Sequence, residues 1–147
     1  MVALFILLNS CAYNRAEHNA VVLERNSPAV GDGGMLVEDV GLETIGGVFT
    51  PLLKTGCATP CKDSEIFSTG QDNQTKFQVS LFRGKEKMVS NNHSLGVCYV
   101  IDIQPAPRGT PEIEVTVEAA EREIRIYALD NATKKPLPIQ CNAKSAS

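Results

Sequence analysis

A chain of 147 residues is long enough for one domain with a real hydrophobic core and too short for two of ordinary size. With 43% apolar and 21% charged residues, it belongs with globular chains rather than disordered ones. The net charge of −3 offers no basic footprint for nucleic acid, and the lack of Trp argues against a site that stacks sugars or bases.

Residues 1–8 read MVALFILL, an apolar run too short to span a bilayer as a helix. The run has the character of a signal-peptide core, and Leu8-Asn9-Ser10-Cys11 is similar to the lipobox of exported bacterial lipoproteins. No Lys or Arg precedes it, however, and a signal needs that positive flank. The expectation is therefore a cytoplasmic chain, with export or membrane anchoring through this segment as the alternative. Residues 12–34 show no clear period, and Gly31-Asp32-Gly33-Gly34 reads as a linker. Residues 1–39 thus read as an N-terminal extension, 40–141 as the folded domain and 142–147 as a polar tail.

From residue 40 onward the pattern is that of strands. Residues 48–53 form a short apolar run after Gly46-Gly47, and residues 64–67 form the next. The run breaks at Ser68-Thr69-Gly70-Gln71-Asp72-Asn73, residues that favour turns. It resumes over 74–82 in strict alternation, with Phe77, Val79 and Leu81 on one side and Lys76, Gln78 and Ser80 on the other. Residues 96–101 make a further strand, stopped by Pro105 and Pro107, which exclude a central strand and stiffen the loop. Residues 112–118 alternate, and Ile124, Ile126 and Ala128 continue the period. Between them, EAAEREIRI at 118–126 is rich in helix formers, but its β-branched flanks predict a hairpin with an awkward turn. Short strands at about ten-residue spacing predict an all-β fold, a two-layer antiparallel sandwich of about eight strands.

The five cysteines are odd in number, and Cys57 and Cys61 have no nearby His to complete a zinc set. They are expected as free thiols in a reducing compartment, with a Cys57–Cys61 disulfide as the alternative if the chain is exported. No catalytic constellation is visible: His18 and His93 have no obvious partner, and Glu112 and Glu114 read as a solvated strand face. The chain is expected not to be an enzyme and to need no metal or cofactor. Asn73-Gln74-Thr75, Asn92-His93-Ser94 and Asn131-Ala132-Thr133 are glycosylation sequons, meaningful only in a eukaryotic secretory pathway.

Four stretches in order carry a family resemblance: GLETIGGVFTPLL from Gly41, SEIFSTGQDNQT from Ser64, NHSLG from Asn92 and IQPAPRGTPEIEVTV from Ile103. LDNATKKP from Leu129 is a looser match. Together they resemble the substrate-binding β-domain of the seventy-kilodalton heat-shock chaperones, the DnaK type. The resemblance implies two four-stranded sheets whose loops clasp an extended peptide. It implies Leu42, Val48, Phe67, Phe77, Val79 and Ile113 around a central apolar pocket. Ile45 and Gly70 would form an arch over the peptide, and groups near Glu43, Ile45 and Ser68, with the Gln74 side chain, would bond its backbone. Thr44, Gly46, Thr69, Asp72, Arg108 and Gly109 complete the implied site.

Departures from the family pattern shape the functional expectation. Nothing resembles the phosphate loops of the family's ATPase domain, and no helical lid follows the sandwich. The first strand lacks about five residues, for which Gly34-Met35-Leu36-Val37 offers a replacement. The turn at Ala120-Glu121-Arg122-Glu123 is one residue shorter, and Phe77 replaces a smaller β-branched residue. The expectation is chaperone-like binding of unfolded or extended, apolar-rich polypeptide segments without intrinsic ATP control, within a stress response. A separate ATPase domain or co-chaperone and self-association are the implied partners. The alternative is a non-binding structural or interaction domain derived from a truncated chaperone, membrane-tethered through its N-terminal segment.

Overall fold

Alternating apolar side chains give a strand one dry face, and two sheets can bury such faces only against each other. The computed structural model, which describes residues 19–142, takes that solution. Its strands are β1 (Val21–Glu24), β2 (Asp39–Thr44), β3 (Val48–Leu53), β4 (Cys61–Phe67) and β5 (Phe77–Gly84). They continue as β6 (His93–Val100), β7 (Ile113–Ala120), β8 (Glu123–Asp130), β9 (Lys135–Leu137) and β10 (Ile139–Asn142). One sheet has the order β1-β8-β7-β4, with β9 also on β8; the other has the order β10-β6-β5-β2-β3. Each sheet therefore has five strands rather than four. The additions are short: β1 has four residues and β9 three, too few to show a period in sequence.

The inner faces meet in one core. Leu81 and Val100 come from one sheet and Ile113, Val115, Val117, Ile124 and Ile126 from the other, all fully buried. Removing each such side chain from water contributes about 1.5–3 kcal/mol. That term decides the segment at 118–126. A helix would scatter Ile124 and Ile126, whereas strand β8 sends both into the core beside Val115 and Val117.

The cost falls on the turn. Glu121 and Arg122 connect β7 to β8 with φ of 53° and 62°, the left-handed pair of a two-residue hairpin turn that favours Asn-Gly. The surroundings hold it. The Arg122 carbonyl accepts from the Ser27 amide at 2.8 Å, and Arg125 pairs with Glu118, Glu121 and Glu123. Burial works against the Arg125 charge, but hydrogen bonds to Glu123 and Glu121 and their charges outweigh it and raise its pKa.

Residues before β2 also join the core. Ser27, Ala29, Val30 and Leu36 are buried. The glycine-rich stretch is a tight turn: the Gly31 amide bonds the Met35 carbonyl at 2.8 Å, and Val30 pairs with Leu36. Residues 34–37 do not lengthen β2; Met35 pairs with Ala58 instead. Arg83 on β5 then ties the two layers together. Its Nε donates to both Glu24 oxygens, at 2.9 and 3.2 Å, and its Nη1 donates to Glu38 at 3.0 Å. Glu24 belongs to β1 in the opposite sheet.

The free-thiol expectation is corrected for four of the cysteines. Cys57 bonds Cys61, and Cys98 on β6 bonds Cys141 on β10. The second pair is 43 residues apart in sequence, and only the β6–β10 register puts Cys141 opposite Cys98, with Cα atoms 4.0 Å apart. No helix among the described residues is long and apolar enough to cross a membrane. The apolar segment 1–8, Cys11, His18 and the tail from residue 143 lie outside the described residues.

Closing the longer loop constrains the unfolded chain by about 4 kcal/mol on the chain-entropy model, against about 2 kcal/mol for the short Cys57–Cys61 loop. Cys141→Ser should therefore lower unfolding stability more than Cys61→Ser, by about 1–3 kcal/mol. Urea titrations without reductant check this, and the difference should vanish when both variants are fully reduced.

Candidate functional site

One end of the sandwich gathers most of the sequence-predicted residues. Phe67 pairs with Ile113 at the β4–β7 end, and Phe77 pairs with Val100 at the β5–β6 end. The β4–β5 loop (residues 68–76) and the β6–β7 loop (residues 101–112) therefore leave the sheets together. The β2–β5 register, with Leu42 opposite Leu81, carries the β2–β3 turn toward the same end.

The turn is built by glycine. Gly46 and Gly47 have φ of 85° and 73°, which a residue with a Cβ rarely adopts, and the Gly47 amide bonds the Thr44 carbonyl at 3.1 Å. This leaves Ile45 at the tip with its side chain 99% exposed. Glu43 and Thr44 are exposed beside it, and the Thr44 hydroxyl meets that of Thr50 at 3.0 Å. The β5–β6 connection braces the turn: the Val89 amide donates to Gly47 and the Phe49 amide to Lys87, and Met88 pairs with Val48. Met88 was not foreseen; a lone methionine in a charged loop gives no signal in sequence.

The β4–β5 loop is polar but ordered from within. The Gln74 Oε1 accepts from the Gly70 and Gln71 amides at 3.0 and 3.2 Å, and its Nε2 donates to the Lys76 carbonyl at 2.8 Å. Its side chain thus shapes the loop rather than standing free. Asp72 Oδ1 accepts the Arg108 amide at 2.9 Å, and the Gly109 amide bonds the Thr69 carbonyl at 2.9 Å. The Asn73 and Ile103 amides donate to Ala106 and Thr75. The two loops are therefore laced together, and Thr69 is buried at their junction while Ser68, Gly70, Arg108 and Gly109 are exposed. Residues 70–76 line an open depression on this loop. The contacts at Ile103 and Ala106 were also missed; the stiffening prolines around them were the available signal.

Beneath the loops, Leu42, Val79 and Ile113 are buried and Val48 is half-buried. Phe67 and Phe77, on opposite sheets, stack with ring centroids 5.4 Å apart at an interplanar angle of 27°. Both pack against the core. The pair caps the inter-sheet space where the resemblance implies a pocket. Among the described residues no group of three or more His, Cys, Asp or Glu side chains could hold a metal.

Fold and site define an all-β sandwich that presents braced loops at one end. Residues 25–146 match the family model described as Hsp70 protein, most of the chain, and the chain belongs to the Hsp70 family. The match begins well before residue 40, in accord with the buried residues at 27–36.

Gln74→Ala removes three hydrogen bonds from the β4–β5 loop at a cost of about 1–2 kcal/mol of local stability. Amide exchange at Gly70 and Gln71 should speed up by about fivefold to thirtyfold while β7 and β8 amides stay protected, read by hydrogen–deuterium exchange.

Proposed function

We propose that this chain is a peptide-binding β-sandwich of its family, taking extended, apolar-rich polypeptide segments between the β2–β3 turn and the β4–β5 loop. The observation that carries the reading is Ile45. Fully exposed Ile45 sits at the tip of a braced turn whose support, Met88, is exposed as well, and together they give this end of the sandwich apolar surface for a ligand. An extended peptide needs backbone partners plus an apolar pocket. The exposed residues Glu43 and Ser68 would supply the first, and half-buried Phe67, over the buried Leu42, Val79 and Ile113, the second. Gln74 contributes by holding Gly70 in place rather than by touching the peptide.

The stacked Phe67–Phe77 pair favours a second reading, a non-binding structural or interaction domain. A phenylalanine side chain has about four heavy atoms more than that of valine, and a close-packed site cannot absorb that volume freely. In this reading Phe77 plugs the pocket and steadies the sandwich. The two readings part on one titration. Fluorescence anisotropy with a short Leu-rich peptide should show weak binding to the wild type and at least about tenfold tighter binding to Phe77→Val, or roughly 1.4 kcal/mol. Tight binding by the wild type would favour the peptide-binding reading, equal affinities would remove the plug, and no binding by either would favour the structural reading.

ATP control is not part of the proposed activity. Calorimetry should show no ATP binding at micromolar concentration and no change in peptide affinity when ATP is added. For compartment, the two disulfides support an oxidising location, the exported alternative, over a cytoplasmic one.

A further inference from the structure

Three sequons invite comparison because the fold treats their asparagines differently. Asn92 is committed. Its Oδ1 accepts the Glu86 amide at 3.0 Å, and its Nδ2 donates to the Glu86 carbonyl at 2.9 Å. The same side chain fills the space over Gly84, where a Cβ would lie 2.6 Å from the Asn92 Cγ. A sugar on that nitrogen would have to pass through the loop the amide holds closed. Asn131 is half-buried, and its Oδ1 is sealed from solvent without a hydrogen-bond partner. A glycan there would have to leave an amide whose oxygen is enclosed by protein.

Asn73 is the opposite case. It is exposed, in the β4–β5 loop, with a left-handed φ of 60°. Its backbone amide is fixed by the Ala106 carbonyl at 2.8 Å, while its side-chain amide has no hydrogen-bond partner among the described residues. Thr75, the third residue of the sequon, is also exposed. Attachment here displaces no contact of the fold.

We propose that Asn73 is an N-linked glycan acceptor, and that it is the one sequon of the three whose glycan the folded domain accommodates. The proposal rests on the oxidising-compartment reading above, since the enzymes that form disulfides and those that glycosylate share the eukaryotic secretory route. The donor is a polyprenyl-pyrophosphate-linked oligosaccharide. The Asn73 Nδ2 attacks its anomeric carbon, and a carbon–nitrogen bond forms as the anomeric carbon–oxygen bond breaks. The lipid pyrophosphate leaves with the bonding pair, and one amide proton passes to base. The glycan would stand on the rim of the loop that borders the proposed peptide site, so its presence would also regulate access to that site.

The test expresses the full chain behind a secretion leader in a eukaryotic host. Glycosidase treatment in heavy-oxygen water followed by peptide mass spectrometry reads occupancy at each asparagine, in cell-associated and secreted fractions alike. The expected result is occupancy at Asn73, with Asn92 and Asn131 unoccupied in the secreted, disulfide-bonded fraction. Asn73→Gln and Thr75→Ala should each abolish the glycan, and Ser94→Ala and Thr133→Ala should leave it. An unoccupied Asn73 in both fractions, or secreted protein glycosylated at Asn92 or Asn131 with unchanged thermal unfolding, overturns the proposal. Because the host supplies the compartment, this failure is separate from failure of the export reading, which alkylation of the native protein's cysteines tests directly.

Discussion

The contact between two alternating apolar faces is the constraint on which the rest of this structure depends. Val115, Val117, Ile124 and Ile126 meet Leu81 and Val100 across it, all fully buried. Every other feature is either a way of reaching that contact or a consequence of it. The left-handed turn at Glu121-Arg122 is tolerated because a relaxed turn would take Ile124 out of register. Arg83 is drawn to Glu24 because the layers bring β5 and β1 close enough for an ion pair to span them. That pair is mostly shielded from water, so its breakage would strand a charge rather than release one.

The loop end inherits its rigidity from the same contact. A polar loop on a mobile scaffold would sample many shapes, and a ligand would have to offset that entropy on binding. Here Gln74 gives the β4–β5 loop internal bonds, Asp72 and Thr69 lace it to the β6–β7 loop, and Met88 and Val89 support the β2–β3 turn. Three connections of very different composition are thereby locked to the two sheets. Such pre-organisation suits a site that recognises backbone and one apolar side chain at low entropic cost. It equally suits a plain structural domain, and the stacked Phe67 and Phe77 are where the two demands compete for one space.

The disulfides place a second kind of constraint on the sandwich. β10 has four residues and sits at a sheet edge, where backbone pairing on one side only is weak. The Cys98–Cys141 bond holds it to β6 and keeps the β6 edge covered. The N-terminal part is held otherwise, through Leu36 in the core and the Arg122 carbonyl bonded to Ser27. A covalent clasp and a packed, hydrogen-bonded segment thus close the chain near its two ends.

Much of this was legible in the residues themselves. Period-two alternation gave β5, β7 and β8 their faces, because a strand's geometry is local and repeats every second residue. Turn residues marked the β4–β5 loop, and the family-like stretches include the segments that meet at the loop end of the sandwich. What the residues could not reveal were relations between distant segments. Cys98 and Cys141 look unpaired until β10 lies on β6. Val21–Glu24 shows no pattern until β8 offers its edge. Gln74 looks free to meet a ligand until the loop closes and its amide finds Gly70, Gln71 and Lys76. The sequence determined where strands form, since that depends on side chains a few residues apart. Only the tertiary structure decided which cysteines pair, which polar groups are already satisfied and which sequon asparagine stands free, because each depends on groups that the chain brings together only when it folds.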